Sequence, residues 1–110
     1  MKRLGFTPEA EASLDAISEW TLMQFGPHQA KTYLTELLAR CHQLAEGSAN
    51  HQSCREVFAA DLRDDLRFTR SGQHFVVFVE TGTEVVVVDF IHSRMDLPGK
   101  IAGLGKRGAQ

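Results

Sequence analysis

Cysteine is scarce in this 110-residue chain: there are two, Cys41 and Cys54, thirteen positions apart. Two do not make a disulfide framework, and in a reducing cytosol both are expected to be free thiols. Positive charge is not in excess either. Twelve Lys and Arg against 14 Asp and Glu give a net charge of -2, which excludes a broad phosphate-binding surface and leaves room only for a local basic patch. Lys2 and Arg3 near the N-terminus have no apolar run behind them, so the opening does not read as a signal peptide. No stretch is long and apolar enough to span a bilayer. The longest apolar runs, at 75–79 and 85–88, are strand-sized. A cytoplasmic location is the expectation. A Gly-rich phosphate loop, a nucleophile elbow and a metalloprotease motif are also missing.

What remains is ordinary globular material. With 43% apolar and 24% charged residues, the chain predicts one soluble domain with one core. Residues 2–6 form a short strand. Thr7 is a natural N-cap, Pro8 suits a first helical position, and Glu9 and Glu11 complement the positive end of the helix dipole. Ala10, Leu14, Ile17, Thr21 and Phe25 then recur every three or four positions, the stripe of an amphipathic helix. Gly26-Pro27 ends it and opens a second helix, with Ala30, Leu34, Leu37, Cys41, Leu44 and Ala45 on its apolar side. So short a turn makes the two helices an antiparallel hairpin. Residues 48–56 read as an exposed loop, and 57–65 as either a helical turn or a short strand.

From Leu66 the period changes to that of strands. Residues 66–70, 74–80 and 84–92 read as an antiparallel meander joined by tight turns at 71–73 and 81–83. The third of these strands is doubly apolar: simple alternation puts Val86, Val88 and Phe90 on one face and Val85, Val87, Asp89 and Ile91 on the other. The helical hairpin covers one face. Residues 97–110, with Pro98, four glycines and three basic residues, read as a loosely ordered tail with at most one helical turn at 101–104. The second face is therefore expected to be covered by another polypeptide. The domain is set at 1–96, with a basic, glycine-containing tail at 97–110. The fold class is α+β, a helical hairpin on a small antiparallel sheet.

The order of features resembles the ParE branch of the RelE/ParE toxins. Phe6-Thr7-Pro8-Glu9-Ala10-Glu11 through Leu14 is similar to that family's opening. Phe25-Gly26-Pro27, then Gln29-Ala30 and Tyr33-Leu34, resembles its helix junction. Leu66-Arg67, His74-Phe75-Val76-Val77-Phe78 and Ile91-His92-Ser93-Arg94-Met95-Asp96 resemble its strands and closing motif. The likeness runs from about residue 6 to 96, and its specificity lies in order and spacing. The departures are Phe78 for tyrosine, Val79 and Met95 for arginine, Arg70 for proline, and Asp89 at a position commonly basic or apolar.

That resemblance implies the toxin of a type II toxin–antitoxin system, acting on DNA gyrase by binding and neutralised by a cognate ParD-like antitoxin whose C-terminal segment wraps it. Target contacts are expected at Arg67, His92, Arg94, Lys100, Lys106 and Arg107, where positive charge gathers late in an acidic chain. Antitoxin contacts are expected at Trp20 and Met23, off the first helix's main stripe, and at Val85, Val87 and Ile91. No catalytic residue, cofactor, metal, membrane contact or direct DNA binding is expected. A homodimer, or a heterotetramer with the antitoxin, would also cover the second sheet face.

The ribonuclease branch supplies the rival reading. Messenger RNA cleavage needs a base, cations for the phosphate and an acid, for which His74, His92, Arg67, Arg70 and Arg94 are the candidates. A nontoxic interaction module is a third reading. Structural roles compete at single residues. His92 would end a strand with its ring hydrogen-bonded, Arg94 would pair with Asp96 or a nearby carboxylate, and Arg67 would face Asp64 or Asp65. A zinc site from Cys41, His42, His51 and Cys54 is disfavoured, because Cys41 lies on the apolar stripe and His42 points away from it.

Overall fold

The computed structural model describes residues 1–108, with side chains through Leu104. Strand β1 (Arg3–Phe6) leads into helix α1 (Pro8–Phe25) through Thr7. The Thr7 hydroxyl accepts the Ala10 N–H at 3.1 Å and donates to the Val88 carbonyl at 3.0 Å. One side chain thus caps the helix, worth about 1 kcal/mol, and anchors it to the sheet. Gly26 closes α1 at φ +88°, donating its N–H to the Leu22 carbonyl, and Pro27 opens helix α2 (Pro27–Glu46). A side chain at that φ would be strained, so glycine fixes where the hairpin turns.

Strand β2 (Gln52–Ser53) and the single-turn helix α3 (Cys54–Val57) follow. Then come strands β3 (Leu66–Ser71), β4 (His74–Glu80) and β5 (Glu84–His92), and helix α4 (Leu97–Gly108). The sheet order is β1-β5-β4-β3-β2. The expected meander is its centre. Both edges come from segments outside that meander: β1 pairs in parallel with β5, and β2 pairs antiparallel with β3.

The sheet separates two apolar clusters. On the hairpin side, Val76, Phe78, Val85, Val87 and Phe90 pack against Ala10, Ile17, Leu37, Cys41 and Leu44. On the other side, Leu66, Phe68, Val77 and Ile91 pack against Cys54, Leu62, Leu97 and Ile101. Strict alternation along β5 fails because the register slips between Val77 and Phe78 of β4, leaving Val88 as the extra residue. A bulge of this kind resets the facing of the residues beyond it. Phe90 therefore joins Val85 and Val87 on the hairpin side, and Ile91 joins Val88 on the other.

The expectation of a loose tail is corrected. Residues 97–108 form α4, with Leu97, Ile101 and Leu104 on the second sheet face. Asp96 precedes this helix and its carboxylate accepts the Gly99 N–H at 3.4 Å. The chain thus covers its own second face. Val85 and Val87 are wholly buried and Ile91 is 3% exposed, so none of the three is open to an antitoxin. Among the described residues, no helix is long and apolar enough to cross a membrane.

Candidate functional site

A groove of about 750 Å³ opens where the α1–α2 turn meets the far ends of β4 and β5. Its size is that of a typical ligand cleft. Three elements converge there. The last two turns of α1 bring Trp20 and Phe25, whose rings meet edge to face at 5.8 Å. The first turns of α2 bring His28, Gln29 and Tyr33. The sheet brings His74 and His92, which are register partners on adjacent strands with ring centroids 5.0 Å apart, and just beyond them Arg94.

The floor is a hydrogen-bonded chain. Tyr33 Oη lies 2.5 Å from His74 Nδ1 and accepts the Gln73 N–H at 3.0 Å. Burial pushes the Tyr33 phenol up, and burial together with the facing His92 pulls His74 down to about 4. His74 is therefore a neutral imidazole at physiological pH. The β3–β4 turn is fitted to this arrangement. Gly72 sits at φ +60°, and a Cβ there would lie 2.7 Å from Tyr33 Cε1, so a larger residue would meet both backbone strain and the tyrosine ring.

The rim carries the unpaired charge. Arg94 is exposed, and among the described residues its guanidinium has no ion-pair or hydrogen-bond partner. The expected Arg94–Asp96 pair is not formed, because Asp96 is turned to the start of α4. His92 does end its strand with a bonded ring: Nδ1 accepts the Arg94 backbone N–H at 3.0 Å. That bond leaves the other ring nitrogen as a donor in the neutral form.

His92, Arg94 and Trp20 meet in one groove, although they came from two separate expectations. Met23 is 82% exposed on α1 nearby in sequence, but does not line the groove. Arg67 is not part of this patch. It lies four positions along β3 from Ser71, the residue paired with His74, roughly 13 Å at strand spacing. Its Nε donates to His51 Nδ1 at 2.6 Å, and Asp65 pairs with Arg63 instead. Burial and Arg67 both lower the His51 pKa. Arg70 stacks 5.5 Å above Phe75, which packs in the second cluster. Lys100 is exposed on α4. Lys106 and Arg107 belong to the end of α4, and their side chains lie outside those described. Cys41 and Cys54 are buried free thiols, pushed up to about 12 by burial.

Tyr33, His28 and Gln29 were not anticipated as site residues. Tyr33 did carry a signal. It is the single tyrosine, at the edge of an apolar stripe, and a half-buried phenol needs a polar partner.

The family described as "ParE toxin of type II toxin-antitoxin system, parDE" matches residues 4–97. Toxin ParE of Escherichia coli is 33% identical over 97 residues, spanning 87% of this chain and 89% of that protein. Toxin ParE1 of Caulobacter vibrioides is 31% identical over 96 residues, spanning 87% and 94%. Toxin ParE1 of Mycobacterium tuberculosis is 30% identical over 96 residues, spanning 86% and 93%. Among solved structures, a chain of "Chromosomal ParDE TA system from P. aeruginosa" superposes with a TM-score of 0.65 at 20% identity, covering 84% of this chain and 96% of that one. That likeness speaks for the fold. With the family matched over residues 4–97 and relatives at 30% identity or more along nearly their whole lengths, the chain belongs to the ParE toxins of type II toxin–antitoxin systems.

Proposed function

We propose that this toxin inhibits DNA gyrase by binding it, and that a cognate ParD-like antitoxin holds it inactive. The observation that carries this reading is the family match over residues 4–97, which takes in both helices of the hairpin, the sheet and the groove. The description of the matched family, a toxin of a type II toxin–antitoxin system, supports an antitoxin as partner. For target contacts the groove rim is the best-supported surface, since Arg94 offers an uncommitted guanidinium beside His92. Lys100 and the end of α4 form a second basic region, on the layer covering the opposite sheet face.

One observation favours a second reading. The groove assembles three of the five cleavage candidates, His74, His92 and Arg94. Against it, His74 is 7% exposed and tied to Tyr33, and Arg67 is committed to His51. Induction of the chain in cells lacking the antitoxin separates the readings. Gyrase inhibition predicts arrested growth, an SOS response and intact messenger RNA by primer extension. Codon-linked cuts would place the protein with the ribonucleases instead, and undiminished growth would make it a nontoxic interaction module.

A further inference from the structure

The two walls of the groove differ in chemistry. Trp20 and Phe25 are each more than half exposed, and the exposed apolar surface of α1 continues onto Leu22 and Met23. The opposite rim offers donors: the free Arg94 guanidinium and the unbonded ring nitrogen of His92. At the turn between them, α2 begins without a side-chain cap, and Pro27 supplies no N–H. The first-turn residues His28 and Gln29 line the groove, so the positive end of a 20-residue helix adds to the same side of the balance. Glu36 is the one acidic residue in the lining.

We propose that this groove seats an extended acidic segment of the antitoxin, with an apolar side chain against Trp20 and Phe25 and a neighbouring Asp or Glu held by Arg94 and His92. The proposal rests on the antitoxin being the partner, as argued above. A guanidinium fork matches a carboxylate bidentately, and an aromatic edge supplies the desolvated anchor that concentrates binding energy. A nucleotide fits less well. The apolar surface runs along α1 beyond what one base covers, and the groove lining, with one arginine and no lysine, offers no basic track for a phosphate backbone. Seating the segment also covers His92 and Arg94, the proposed target contacts. Antitoxin and target would then contend for one surface, and neutralisation would follow from occupancy.

The chain has a single tryptophan, so its indole N–H gives one NMR cross-peak that reports on the groove. The test adds unlabelled cognate antitoxin to the full-length ¹⁵N-labelled chain, alongside calorimetry of variants. The indole peak is expected to move on binding. Arg94→Ala and Trp20→Ala should each weaken affinity at least tenfold, Arg94→Lys should restore part of the loss, and raised salt should weaken the wild type more than Arg94→Ala. Arg3→Ala, exposed on β1, should bind as wild type. The three positions altered, Arg3, Trp20 and Arg94, are on the surface, and the rest of the spectrum verifies folding. If the antitoxin binds with the indole peak unmoved and Arg94→Ala unchanged, the groove assignment is wrong while the toxin reading stands. No binding at all would defeat both. An Arg94-dependent shift with AMP but not with antitoxin, or a shift on concentrating the chain alone, would overturn the proposal in favour of a nucleotide or a second copy.

Discussion

At pH 7 the His74 imidazole is neutral, because burial and the facing His92 hold its pKa at about 4, against an ordinary value of 6.5. The unfolded chain therefore binds a proton in the window between those values that the folded chain does not. Stability is whole above pH 6.5 and declines as pH falls towards 4, where this contribution levels off. The shift bounds the loss at about 3 kcal/mol. His51, also lowered by burial, acts in the same direction. Urea melts of wild type and His74→Gln between pH 7.5 and 4.5 check this. The variant should show a markedly flatter dependence on pH, and equal slopes would contradict the burial account. Arg94 stands at the other extreme. It is exposed and, among the described residues, without a side-chain partner, so its removal should leave stability within about 0.5 kcal/mol. A residue the fold does not use is available to a partner, and nothing in the sequence distinguished it from a residue paired with Asp96.

The elements differ in how far the sequence announces them. The hairpin is legible because Thr7, Pro8, Gly26 and Pro27 punctuate it, and the meander because its strands are short and separated by Gly-containing turns. Helix α4 is obscured. Gly99, Gly103 and Gly105 depress its intrinsic propensity, yet Leu97, Ile101 and Leu104 repeat at helical spacing and bury against the sheet. Tertiary packing decides the matter, as it does for most short helices. The bulge in β5 is likewise invisible to simple alternation, since it reverses the facing of Phe90 and Ile91 without changing their apolar character. From α4 follows a test of its own. Ile101 is completely buried, so Ile101→Ala should cost about 2–5 kcal/mol and raise binding of a hydrophobic dye. A change under about 0.5 kcal/mol would mean that α4 does not hold the second face in solution. The groove, by contrast, was only half legible. Its residues come from α1, α2, the β3–β4 turn, the start of β4, the end of β5 and the turn after it, and no local pattern records that these places meet.

For the whole molecule, two layers of helix enclose the sheet, and the surface left over is concentrated at one end. The doubly apolar β5 suggested an incomplete domain, but α4 completes it. Need for a partner is then not a matter of an uncovered core. It is carried by the exposed aromatic edge and free guanidinium of the groove. Under the proposed function, target and antitoxin would both be recognised through the surface of a domain whose core is already closed. The direct measurement is a supercoiling assay with purified gyrase, relaxed plasmid, ATP and this chain. Added chain is expected to abolish supercoiling, and an equimolar cognate antitoxin to restore it. Undiminished supercoiling at saturating chain would contradict the proposed function.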